Sequence, residues 1–159
     1  MNTKIFILFI VFSTIISCNN DDDSNNNDDN NCLELNIDID ITSLENEYGC
    51  VDTKYQMEIN LSEDYTIIRN QSDFDNLVTG SCQPTINFSN YDLIIGKKGL
   101  TNGNSTIDYV LTQHCETGNQ TLKVTFNQND TTVAPNLTYH ALIPKLGEEQ
   151  ELNVEIIVN

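Results

Sequence analysis

Leu33-Glu34-Leu35-Asn36-Ile37-Asp38-Ile39-Asp40-Ile41 sets an aliphatic residue at every second position. Side chains alternate between the two faces of a strand, so this spacing predicts a half-buried strand with Asp38 and Asp40 on its solvated side. Tyr55, Met57, Ile59 and Leu61 repeat the pattern, and Tyr65 to Arg69 adds a short extended run. Further along, 91–96, 106–115, 121–127, 139–143 and 152–158 are rich in β-branched and aromatic residues, with Gly99, Gly103, Gly118 and Asn129-Asp130 as turns. About seven or eight strands at this spacing predict a mainly β fold, an antiparallel β-sandwich or partly closed barrel. One short helix is expected. Ser72 would cap it, Asp73 and Asp75 would favour its N-terminal dipole, Phe74, Leu77 and Val78 would form its apolar stripe, and Gly80 would close it.

Ahead of this domain, Ile5 to Ile16 is an apolar run behind a single Lys4. A membrane span needs roughly 20 apolar residues, so the run fits the hydrophobic region of a cleaved signal peptide instead. The residues that follow, Ile15-Ile16-Ser17-Cys18, resemble the signal of bacterial lipoproteins. That resemblance implies a leader at 1–17 and lipid on Cys18, with palmitate among the chains and the outer membrane or cell surface as the address. Residues 18–31 then form a tether, since beyond Cys18 they are only Asn, Asp and Ser and have no apolar surface to offset the entropy of ordering. Flexible-chain scaling gives it a reach of about 20 Å. Its acidic start resembles the surface-export signals of Bacteroidetes lipoproteins. Asp21, Asp23 and Asn25 alternate as in a calcium loop, but Asn26 stands where glycine is needed and Cys32 where glutamate is needed.

Loss of Lys4 with the leader takes the formal charge from −17 to −18. Such acidity repels phosphate backbones, so no nucleic-acid partner is expected. Residues 32–159 suffice for one domain. Apart from Cys18, the cysteines are Cys32, Cys50, Cys82 and Cys115, an even number in an exported chain, which favours two disulfides in one of three connectivities. The expected pairing joins neighbours, Cys32 with Cys50 and Cys82 with Cys115. Zinc is disfavoured because no two cysteines have close ligand spacing.

Over Tyr65 to Val158 the chain resembles the PrcB-type protease complex subunit family, through Ile67-Ile68, Ser72-Asp73-Phe74, Asn87-Phe88-Ser89-Asn90-Tyr91, Leu93-Ile94-Ile95-Gly96 and Tyr139 to Ile143 with Pro144-Lys145. The resemblance implies a small β domain that assists or inhibits a protease. The family's Gly-Gly-Tyr hairpin is replaced by Gly99-Leu100-Thr101-Asn102-Gly103-Asn104.

No nucleophile–base set, metalloprotease motif or phosphate-binding loop occurs, so neither an enzyme nor a cofactor is expected. His114 and His140 both fall on predicted strands and read as rings satisfied by a neighbour. Glu148, Glu149 and Glu151 read as a turn. The Asn-x-Ser/Thr triplets, such as Asn104-Ser105-Thr106, read as chance in an Asn- and Thr-rich chain, while Asp130-Thr131-Thr132 resembles a bacterial O-glycosylation motif. Three functions fit: a protein- or peptide-binding envelope lipoprotein, a protease-associated subunit, and a calcium- or glycan-binding module. For the first, loops on a rigid sheet are the usual contact points. Lys97, Lys98, Leu100, Thr101, Asn102 and Asn104 are the expected binding loop.

Overall fold

The alternating stretch does form a strand, β1 (Asn36–Ile39), in a computed structural model that describes residues 35–61 and 64–159. The expected leader, Cys18, the expected tether and Cys32 lie outside the described residues. Of the described part of this stripe, Leu35 to Ile41, only the C-terminal end is covered. Ile39 faces Leu111 and packs with Ile41 into a core, whereas Ile37, opposite Gln113 at the end of its partner strand, is 43% exposed.

Eight more strands follow among the described residues: β2 (Met57–Ile59), β3 (Tyr65–Ile68), β4 (Val78–Gly80), β5 (Tyr91–Gly99), β6 (Asn104–His114), β7 (Gln120–Gln128), β8 (Asn136–Pro144) and β9 (Leu152–Val158). They build a four-stranded sheet in the order β1-β6-β7-β9, a three-stranded sheet β3-β5-β8 and a β2-β4 pair. The fold is mainly β and sandwich-like, with no closed barrel among the described residues. Pairing is antiparallel except between β7 and β9, which run parallel from Gln120 opposite Leu152 to Phe126 opposite Val158.

The three-stranded sheet is covered on both faces. On β8, Leu137, Tyr139, Ala141 and Ile143 pack towards the four-stranded sheet, with Leu122, Val124 and Phe126. Leu142 turns the other way, to a second core made by Leu44, Phe74, Met57 and Leu93. This two-residue period explains why β8 is buried from Leu137 to Ile143. Gly96 on β5 is required by the packing, because a Cβ there would lie 2.4 Å from the Tyr139 hydroxyl and 2.4 Å from the Asp64 carbonyl oxygen.

Among the described residues three helices, not one, accompany the sheets: α1 (Leu44–Tyr48), α2 (Thr53–Gln56) and α3 (Gln71–Leu77). The expected helix is α3, but its cap is Asn70, whose side chain accepts the Asp73 N–H at 2.9 Å. Ser43 caps α1, accepting from the Asn46 N–H at 3.2 Å, and Gly49 ends it in the left-handed region. The strand expected from Tyr55 to Leu61 is shortened to Met57–Ile59, because Asp52 turns left-handed and starts α2 through Tyr55 and Gln56. Nor does Gly80 close a helix. It pairs with Met57 at φ +131°, where a Cβ would meet the Gln56 carbonyl oxygen at 2.1 Å.

The cysteine pairing differs from expectation. Cys50 bonds to Cys82, with their Cα atoms 5.6 Å apart. The β2-β4 pairing carries the chain after Gly80 back beside the segment following α1, which sets Cys82 against Cys50. Cys115 is also disulfide-bonded. No described helix is long and apolar enough to cross a membrane.

Candidate functional site

The buried even positions of β8 face the helices, and two of them are polar: Thr138 and His140. Each needs a partner, because a buried polar group left unpaired costs roughly 1–3 kcal/mol. The Thr138 hydroxyl donates to the Met57 carbonyl at 2.6 Å. His140, only 4% exposed, has its Nε2 2.7 Å from the Thr53 hydroxyl on α2 and 3.3 Å from the Glu45 carboxylate on α1. Thr53 donates its hydroxyl proton to Glu45 in turn.

This corner holds Glu45 ionised. Burial pushes its carboxyl up, but hydrogen bonds from His140 and Thr53 and the attraction of the imidazole outweigh that and hold it well below the usual carboxylate range. An ionised carboxylate only accepts, and the Thr53 proton is already given to it, so the network assigns the remaining proton to Nε2. The other ring nitrogen, Nδ1, is buried. It has no hydrogen-bond partner.

Around His140 lies a cleft of two adjoining lobes, about 430 and 320 Å³, which share Ser43, Asn46, Ile107, Tyr109 and His140. Asp52 and Lys54 border the first lobe and Asp108 the second. The Tyr109 hydroxyl accepts the His140 backbone N–H at 3.2 Å, and burial, with the Glu45 charge, raises its pKa above that of an ordinary phenol. Asp52 makes no capping hydrogen bond with its side chain. Hydroxyl, imidazole and carboxylate meet here, but not as a nucleophilic set. Thr53 is 3% exposed and its proton is committed to Glu45, so its oxygen is not presented for attack.

The expected loop residues are placed elsewhere and do not converge. Lys97 pairs with Glu58, Thr101 donates to Gln128 at 3.2 Å, and the Asn102 N–H reaches the same oxygen at 3.0 Å. Lys98 is half-buried, Leu100 belongs to the core between the sheets, and Asn104 is 7% exposed. His114 ends β6 half-buried, its Nδ1 accepting from the Thr117 N–H at 3.4 Å. Asp38, Asp40, Glu148, Glu149 and Glu151 are solvated. Among the described residues no group of three His, Cys, Asp or Glu side chains could hold a metal ion.

Sequence reasoning missed the cleft because Glu45 and Thr53 meet His140 only through the fold; Thr53 is 87 residues away. One signal was present: Thr138 and His140 interrupt an otherwise apolar strand on a single face. Comparison with known proteins adds no relative, since no family model, no curated protein and no solved structure matches the chain.

The Glu45 corner gives a pH prediction. A carboxyl whose folded pKa lies below its ordinary value of 4.5 contributes stability that is present above that pH and is lost as pH falls towards the folded value. The Glu45 side chain is 35% exposed, so screening limits the contribution to about 1 kcal/mol. Glu45→Gln should therefore lower the melting temperature at pH 7, and the gap from wild type should narrow by pH 3. Thermal melts at both pH values check this.

Proposed function

We propose that the chain is a non-enzymatic envelope lipoprotein, moored through lipid on Cys18, whose β domain holds a segment of another protein in the cleft around His140. The observation that carries the binding role is the cleft itself, two adjoining lobes of about 430 and 320 Å³ lined by Asn46, Ile107, Tyr109 and the buried His140. A binding role is favoured over a catalytic one because Thr53 is buried and already donates to Glu45. The anchor rests on the Ile5–Ile16 run and the Ile15-Ile16-Ser17-Cys18 signal, with residues 19–31 as spacer. Several acyl chains, at about 0.8 kcal/mol per buried methylene, would hold the domain firmly at a membrane.

A photoreactive residue at position 46, within the cleft, tests the binding role on whole cells. It should form an adduct of defined mass, whereas the same probe at position 133, where Val133 is 66% exposed, should not. Equal labelling from both positions, or none from 46, would refute the cleft as the binding site. Absence of palmitate incorporation, with the Cys18→Ala protein still in the envelope, would refute the anchor.

A further inference from the structure

The outer side of β9 is the least guarded sheet edge among the described residues. β9 ends the order β1-β6-β7-β9 and pairs on one side only, with β7, in unbroken register. The Asn159 N–H donates to the Phe126 carbonyl at 2.9 Å and the Glu151 carbonyl accepts from the Gln120 N–H at 2.8 Å, so the odd positions turn their backbone towards β7. Alternation along the strand then points the N–H and C=O groups of Leu152, Val154, Ile156 and Val158 away from β7. Such a row of open groups templates a further strand, and exposed edges are normally shortened, bulged, or fitted with proline or lysine to prevent it. β9 runs seven residues with none of these devices, its one charge being Glu155. The other edges are defended. β1 and β3 run only four residues and β2 and β4 three, and Thr42 bridges the outer side of β8 at Leu142.

The side chains beside this edge define what an added strand would carry. Leu152, Val154 and Ile156 face the core between the sheets but are only half-buried, as are Tyr65 and Ile67 on β3, an edge strand of the other sheet. Arg69, just after β3, shares a cleft of about 540 Å³ with Leu152 and Asn153, which sets the two edges on one side of the sandwich. Apolar residues at every second position of an incoming segment would complete that half-covered row. On its other face the segment would meet Asn153, Glu155 and Ile157, all exposed, where a basic side chain is favoured and an acidic one repelled. A second copy of this chain fits poorly, because each carries a formal charge of −17 and the pairing would bring Glu151 and Glu155 of both together.

From this we infer that β9 receives an extended segment of another protein as a further strand of the four-stranded sheet, held by backbone hydrogen bonds, with apolar residues towards the core and basic or neutral ones beside Glu155. This edge shares no lining residue with the cleft around His140, and its role goes beyond the one proposed above.

Calorimetry on the detergent-solubilised full chain tests this with capped heptapeptides. One that alternates valine and lysine should bind saturably, and one that alternates valine and glutamate should not. Two further versions of the lysine peptide carry N-methyl groups on every valine or on every lysine. Only one of these sets of nitrogens can face β9, so one version should lose binding and the other keep it, which also gives the direction of the added strand. Ile156→Pro removes one outward N–H without touching the β7 ladder and should weaken binding about tenfold. Glu155→Lys should weaken it about fivefold, whereas Asp38→Lys, the same charge change on β1, should leave it unchanged. Circular dichroism establishes that the variants fold, and Glu155→Lys carries the test if the proline variant does not. Binding that survives both methylation patterns or fails with both, equal binding of the glutamate peptide, no binding of the lysine peptide, or an unchanged affinity in Glu155→Lys would overturn the inference. So would a dimer of the free chain in sedimentation that Glu155→Lys or Ile156→Pro abolishes, since a second copy would then fill the edge.

Discussion

Replacing Cys50 with alanine is expected to cost roughly 3–4 kcal/mol, one of the largest single losses available to this domain. Cys50 and Cys82 are 32 residues apart, and closing a loop of that length removes about that much freedom from the unfolded chain on the entropic account. The bond also joins elements that share few other ties. Cys50 follows α1, Cys82 follows β4, and both pack with Leu44, Met57 and Phe74 in the core beneath the helices. The variant, and the wild type under reductant, should melt many degrees lower, because about 1 kcal/mol shifts the midpoint of a domain this size by several degrees. Scanning calorimetry checks this. Since α1 and α2 carry Glu45 and Thr53, the Cys50→Ala protein should also lose ligand affinity in the cleft before it unfolds. If it melts within a degree or two of wild type, the pairing of Cys50 with Cys82 does not hold the helical layer in place.

Phe126→Ala should cost about 3–5 kcal/mol, the range for removing a fully buried aromatic ring from a core. Phe126 is fully buried on β7, and its ring meets Tyr139 of β8 edge-to-face, with centroids 5.7 Å apart and planes at 86°. The contact bridges the two larger sheets, so the loss combines transfer energy, a cavity and the aromatic pair. Against a typical total stability of about 5–15 kcal/mol, that brings the domain close to unfolding at ambient temperature. Urea denaturation should show a lower midpoint with an unchanged slope. Leu146→Ala, at the margin of the same core and 9% exposed, should cost less. A Phe126 loss under about 1 kcal/mol would show that the two sheets do not pack through this pair.

Much of the architecture was legible because long strands advertise themselves. The stretch 152–158 coincides with β9, and 106–115 and 121–127 fall within a residue or two of β6 and β7. Short elements were harder. Ser43 and Gly49 punctuate α1, but its five residues leave no room for a helical stripe to repeat, and Leu44 is its only buried side chain. In α2 the alternation of Tyr55 and Met57 imitated a strand, and only the left-handed turn at Asp52 separates the two. The cysteine pairing depended on β2 and β4 meeting across α3, a tertiary event with no local signature. The cleft shared that difficulty. His140 was visible as a residue, but its partners come from two short helices that periodicity does not reveal.

The parallel β7-β9 pairing has a consequence for how the domain assembles. Between those neighbours the chain leaves the four-stranded sheet and runs through β8, an edge strand of the three-stranded sheet, paired to β5 over nine residues. One thread therefore laces both layers, and the outermost strand cannot dock until its predecessor has crossed. Such long-range closure slows folding and removes any separable half that could open by itself. The module should come apart as a unit, with hydrogen exchange in β7, β8 and β9 reporting a common opening.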